Sequence, residues 1–132
     1  MSKAHLMTSK NAPKTIFCDI DGTLVIHPGS NNNHEELPKS KHKLQVLKGT
    51  LKKLWEWDSK GYRIILTTGR KESMRPKTEK ELLRLGIVYD KLIMGLGGGV
   101  RILINDRKPN SDIDTAYAIN LNRNEGIKNV KI

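Results

Sequence analysis

Thr15-Ile16-Phe17-Cys18-Asp19-Ile20-Asp21-Gly22-Thr23-Leu24 is the stretch on which the fold turns. A short β-favouring run follows the breaker Pro13 and stops abruptly at two acids and a glycine. A run of this length bounded by turn residues reads as a buried strand, and acids at its end put polar chemistry where the chain leaves the core.

Working outward, residues 27–33 read His-Pro-Gly-Ser-Asn-Asn-Asn, a turn-forming composition that marks a surface loop. From 44 to 60 the residues Leu44, Leu47, Leu51, Leu54 and Trp55 recur at three to four residue spacing between lysines, the pattern of an amphipathic helix, and Gly61 stops it. On this stripe Trp55 is expected in the core and Trp57 at the surface or in an interface. Residues 62–68 predict a second buried strand ending at Thr68-Gly69-Arg70. A helix is expected over 73–85, stopped by Gly86, then a short strand near 91–94 and the glycine-rich link Gly95-Leu96-Gly97-Gly98-Gly99. The pattern predicts another buried strand over 101–105, ending on Asp106, and a helix over 112–120. Residues 126–132 are expected as an edge strand or docked tail. Strands alternating with helices imply parallel pairing through right-handed crossovers, hence an α/β sandwich.

The 132 residues are expected to make one domain, with 1–13 as a short tail and 27–43 as an insertion loop. Lys and Arg number 24 against 14 Asp and Glu, a net charge of +10 that favours anionic partners. No apolar run approaches the ~20 residues of a membrane-spanning helix, and the N-terminal residues lack the apolar core of a secretory signal. With Cys18 alone, no intrachain disulfide is possible, and a cytoplasmic location is expected.

In an open parallel sheet, ligands bind beyond the carboxyl ends of the strands. Three expected strands end there with Asp19 and Asp21, with Thr67-Thr68-Gly69-Arg70, and with Asp106-Arg107-Lys108. Three carboxylates suit a small hard cation such as Mg²⁺. Thr68 and the Gly69 amide are suited to phosphate oxygens, and Arg70 or Lys108 to balancing their charge. Taken singly, Asp-x-Asp-Gly is a common turn and Thr-Thr-Gly-Arg an ordinary strand end; their order at successive strand ends is what points to a site.

Asp19-Ile20-Asp21-Gly22-Thr23-Leu24 resembles the first motif of the haloacid dehalogenase superfamily. Residues 64–68 resemble its second motif, and 102–106 its acidic fourth motif. The resemblance implies a three-layer sandwich with a mostly parallel, Rossmann-like sheet, without a folded cap domain. It also implies a Mg²⁺-dependent phosphatase working through an aspartyl-phosphate. In that scheme Asp19 is the nucleophile, and Asp21 the general acid and then base. Mg²⁺ is held by Asp19 and Asp106 and the Asp21 carbonyl, while Thr68 binds the phosphate. Similar small members carry a Lys after the strand preceding the fourth motif, often as Gly-Lys-Pro; here Gly95-Leu96-Gly97 has no cation. Lys108 is the favoured substitute, with Arg70 second. Arg101, at the start of its expected strand, is placed at the opposite end of the sheet.

The expected substrate is a phosphorylated small molecule such as a sugar phosphate, and a second subunit is a candidate for completing the open site. Nucleic-acid ends are the alternative substrate and a non-catalytic scaffold the alternative role. With Phe17, Trp55, Trp57 and three tyrosines as the whole aromatic complement, several of them expected in the core, few faces are left for base stacking. The glycine-rich link lacks the last glycine of a nucleotide-binding loop and reads as a crossover. The lysines at 39, 41, 43, 48, 52 and 53 read as a solvated face. His27, His34 and His42 read as exposed loop residues, and Cys18 as a buried apolar one.

Overall fold

Strand β1, Thr15–Asp19, runs parallel to β2, Arg63–Thr67, which runs parallel to β3, Lys91–Ile93, in the order β1-β2-β3. The computed structural model describes residues 12–27 and 44–132, so of the expected tail and insertion loop only residues 12, 13 and 27 fall within it. Helix α1, Thr50–Ser59, lies between β1 and β2; helix α2, Arg75–Leu85, follows a 3₁₀ turn at Glu72–Met74 and lies between β2 and β3. The architecture is a small α/β fold with a three-stranded parallel sheet.

Strand register sorts the side chains. Cys18, Leu66 and Leu92 stand side by side on one face with Ile16 and Ile64, and these pack into a core with Leu54 and Trp57 of α1 and Leu82 of α2. Ile64 and Leu66 are fully buried, each contributing on the order of 1.5–3 kcal/mol from water exclusion. The opposite face carries Phe17, Asp19, Ile65, Thr67 and Ile93, and it is the more open one: Ile65 at its centre is buried, but Phe17 is 56% exposed and Ile93 39%. Among the described residues no helix forms the third layer of the expected sandwich over that face.

The missing layer has a local cause. Residues 101–105 form no strand, and Ile102, Leu103 and Ile104 are largely exposed. The link out of β3 is held at the carboxyl edge of the sheet: Gly95 N–H donates to the Arg70 carbonyl at 2.7 Å and Leu96 N–H to the Thr68 carbonyl at 3.2 Å. Arg101 then bonds back to the Gly97 and Gly99 carbonyls. The chain therefore reaches residue 101 still at that edge, whereas a parallel strand needs a crossover of roughly a dozen residues to return to the other end. Nor do residues 112–120 form the expected helix. Asp, Thr, Asn and β-branched residues dominate there, and the Ser111 hydroxyl accepts the Ile113 N–H, a local turn that competes with helix formation.

The tryptophans exchange places relative to the expectation: Trp57 is 3% exposed and Trp55 54%. The helix begins at Thr50, not near Leu44, because Gly49 takes a left-handed φ of 84°. Its buried stripe is accordingly Thr50, Leu54 and Trp57, spaced four and three residues apart. The Thr50 hydroxyl donates to the Leu24 carbonyl at 3.0 Å and ties α1 to the turn after β1. Residues 126–132 are a docked tail: Ile127 is buried, and Lys53 Nζ donates to the Val130 carbonyl. Among the described residues no helix is long and apolar enough to cross a membrane.

Candidate active site

Asp19 ends β1 on the open face, opposite Thr67 of β2. The chain then coils tightly: Thr23, Leu24 and Val25 all donate backbone N–H groups to the Ile20 carbonyl, and Gly22 N–H reaches the Val25 carbonyl at 2.8 Å. Gly22 sits at φ 86°, a conformation glycine adopts without steric cost. The turn brings Thr23 round so that its hydroxyl donates to Asp19 Oδ2 at 3.2 Å. Partial burial raises the Asp19 pKa above the usual carboxylate range, and the neighbouring Asp21 charge adds to it; the Thr23 hydroxyl, the Ile20 N–H and the Arg101 charge oppose the shift. A more basic carboxylate at a strand end is a better nucleophile than a fully solvated one.

Asp21 is gripped by Arg70. Arg70 Nε donates to Asp21 Oδ2 at 2.9 Å and Nη2 to Oδ1 at 2.7 Å, the paired geometry that makes such contacts strong. Nη1 of the same guanidinium donates to the Thr78 hydroxyl and to Glu81 Oε2, each at 3.2 Å. Arg70, expected to bind phosphate, thus spends its donors on holding Asp21 and on tying the turn after β2 to α2. Thr78 and Glu81 were not singled out by the sequence. The available signal was Thr78, a polar residue four before Leu82 in the buried stripe of α2.

Thr68, fully buried, lies one residue past β2, and its hydroxyl accepts the Arg70 N–H at 3.1 Å. Gly69 is required by a close approach: a Cβ there would stand 2.5 Å from the Gly97 carbonyl oxygen. The loops after β2 and β3 are therefore in backbone contact, and this brings the glycine-rich link, with Arg101 upon it, to the site. Arg101 Nη1 donates to the Gly99 carbonyl at 2.7 Å and Nη2 to the Gly97 carbonyl at 2.9 Å, and its charge is felt at Asp19. The expectation that Arg101 stands at the far end of the sheet is corrected by this placement.

Asp106 is not brought to Asp19 and Asp21. Its segment is exposed, and its carbonyl takes the Thr115 hydroxyl in a loop where Arg107 pairs with Asp114 at 2.8 Å. Lys108 lies in the turn of that loop, where its carbonyl accepts the Ser111 N–H, and among the described residues no bond or ion pair links it to the acids. Asn110 occupies the same turn at φ 60°. Among the described residues no group of three or more His, Cys, Asp or Glu side chains is placed to hold a metal ion. The Asp19, Asp21 and Asp106 set expected for Mg²⁺ is thus incomplete as placed.

A feature the sequence did not signal closes over the β1 turn. Asn124 N–H donates to the Gly22 carbonyl at 2.8 Å, and Asn124 Oδ1 accepts the His27 N–H at 2.8 Å. Arg123 lays its stem against Gly22, its Cγ 3.2 Å from where a Cβ would be. His34 and His42 lie outside the described residues.

Two chains of known structure are similar to this one. A chain in the structure of the Pnkp1/Rnl/Hen1 complex is 29% identical over 68% of this chain, with a TM-score of 0.51. This chain spans only 30% of the length of that one. A Vibrio cholerae protein of known structure is 18% identical over 70% of this chain and 79% of its own, with a TM-score of 0.46. No protein-family model and no curated protein matches the sequence.

Proposed function

We propose that the chain is a phosphomonoesterase of the haloacid dehalogenase type, with Asp19 as nucleophile. The observation that carries the reading is the junction of strand ends. Asp19 closes β1 with a raised pKa, Thr68 and Gly69 follow the adjacent β2, and Asp21, two residues on, is held by Arg70. In the first half-reaction an Asp19 carboxylate oxygen attacks phosphorus while the ester P–O bond breaks, and Asp21 gives its proton to the leaving oxygen. In the second, Asp21 takes a proton from water as that water attacks phosphorus, and the bond from Asp19 to phosphorus breaks. Arg70 bonds both Asp21 oxygens and so fixes the position of that carboxyl group beside Asp19 for both halves. Arg101, with no carboxylate partner among the described residues and its field at Asp19, is the cation that neutralises the reacting phosphate, in place of Lys108.

A second reading concerns substrate. Nucleic-acid ends gain support from the partial likeness to a chain of the Pnkp1/Rnl/Hen1 complex, a polynucleotide kinase/phosphatase complex. The shortage of stacking faces expected from the sequence is also relieved, since Phe17, Trp55 and Tyr117 are each more than half exposed. The test is phosphate release from p-nitrophenyl phosphate, sugar phosphates and phosphate-terminated oligonucleotides. Asp19→Asn should lower the rate by at least a thousandfold on whichever compound is turned over. Comparable rates from wild type and Asp19→Asn would sink the mechanism.

A further inference from the structure

Three arginines surround the Asp19–Asp21 turn, and their commitments differ. Arg70 is bound to Asp21, Thr78 and Glu81. Arg101 is held by two carbonyls and acts at Asp19. Arg123 is different: its backbone is fixed, and among the described residues no hydrogen bond or ion pair engages its guanidinium. The fixing is thorough. Asn124, at a left-handed φ of 63°, bonds the Gly22 carbonyl through its N–H and the His27 N–H through its side chain. Glu125 N–H closes onto the Asn122 carbonyl at 3.1 Å, and the following Ile127 is buried in the core. The nearest acid in this turn, Glu125, has a carboxylate oxygen on the Asn122 N–H at 3.1 Å. Among the described residues no carboxylate bonds Arg123, which is exposed.

The stem of this arginine crosses the turn at Gly22, one residue beyond Asp21, where the absent Cβ makes room for it. Its charge is therefore presented beside the mouth of the site, displaced from the reacting position that Arg101 serves. A planar fork of unspent donors on a pinned backbone suits bidentate capture of a phosphate. A substrate with one phosphate, seated at Asp19, has nothing to offer it.

We propose that Arg123 binds a second phosphate of the substrate, next along from the one attacked at Asp19, and so sets the substrate class as one with successive phosphates. This rests on the phosphomonoesterase reading above. Two sources share that chemistry, the backbone of a phosphate-terminated single strand and a small sugar bisphosphate, and the arms of the experiment separate them.

Binding is measured in the Asp19→Asn background, without turnover, by the anisotropy of a fluorescein-labelled DNA strand ending in a phosphate, at a series of NaCl concentrations. Adding Arg123→Ala should weaken binding about tenfold at 0.1 M salt. It should also reduce the slope of log K against log salt by about 0.7, the loss of one phosphate contact on a single strand. Arg123→Lys, which keeps the charge, should restore the slope. Fructose 1,6-bisphosphate as competitor gives the other arm. Equal weakening of strand and bisphosphate assigns the second phosphate to small molecules as well, and weakening of the strand alone assigns it to nucleic acid. Unchanged affinity and slope in Arg123→Ala, with melting within 2 °C of the parent, would overturn the proposal. Phosphate release by the wild type from p-nitrophenyl phosphate is scored separately, so loss of the phosphatase reading and loss of the Arg123 contact are distinct results.

Discussion

Replacing Arg70 by Ala removes both bonds to Asp21 and those to Thr78 and Glu81 at once. The Arg70 and Asp21 side chains are 17% and 22% exposed and Glu81 21%, so the cluster lies between two known limits. Exposed pairs contribute about 0.2–1 kcal/mol, whereas breaking a buried pair costs about 3–5 because a charge is left uncompensated. Four-fifths burial with some solvent screening puts the expected loss at about 2.5 kcal/mol. For a chain of 132 residues, each kcal/mol lowers the melting temperature by roughly 3–4 °C, so a drop of about 8–10 °C is expected. Urea unfolding followed by circular dichroism measures the loss directly. A double-mutant cycle with Asp21→Asn isolates the pair, and about 1.5–2 kcal/mol of coupling is expected within that total. Coupling under about 0.5 kcal/mol would place the contact among surface ion pairs and refute the view that Arg70 is the positioning residue for Asp21.

Gly69→Ala sets a Cβ 2.5 Å from the Gly97 carbonyl oxygen, so the two loops must part; a loss of about 1–3 kcal/mol and a rate lower by about a hundredfold are expected, and wild-type kinetics would show that the loops do not touch. Ile104→Thr should change stability by less than about 0.5 kcal/mol because Ile104 is 90% exposed, whereas Ile64→Ala should cost about 2–5; a large effect at Ile104 in the same denaturation assay would mean that residues 101–105 are docked on the sheet. Burial pushes the Cys18 thiol up to about 12, so it should resist iodoacetamide in the native state at pH 8 and react on unfolding. A thiol whose pKa is raised by folding supports the native state fully below its unfolded value of about 9.0 and loses that support as pH climbs towards 12; Cys18→Ala should flatten the decline. Arg70 occupies both Asp21 carboxylate oxygens, which leaves Mg²⁺ the Asp19 carboxylate in this turn, so calorimetry should find weak binding that Asp106→Ala leaves unaltered, and a tenfold drop in affinity would place Asp106 at the site.

Much of the architecture follows from local pattern. The apolar runs at 15–18 and 63–66, the leucines of α2, and the glycines at 61 and 86 specify strands and helix ends through neighbours a few residues away. Asp19 and Asp21 are legible for the same reason, since an acid ending an apolar strand must sit at its carboxyl edge. Trp55 and Trp57 exchange the places their spacing predicts because a stripe depends on where the helix starts, and Gly49 moves that start to Thr50. The strand expected over 101–105 failed for a different reason. Its composition suits a strand, but a parallel strand forms only where the connection can carry the chain back across the sheet.

The sequence by itself determined the order of strands and helices as far as β3, the strand-end position of Asp19 and Asp21, and the burial of Cys18. All of these rest on residues close together in the chain. Only the tertiary structure decided which arginine serves which acid. Arg70 meets Asp21 across 49 positions, Arg101 reaches Asp19 because Gly69 and Gly97 touch, and Arg123 returns from near the far end of the chain to lie on Gly22. Side-chain charge is written in the sequence, but the partner a charge finds is settled by backbone approaches between loops whose composition does not announce them.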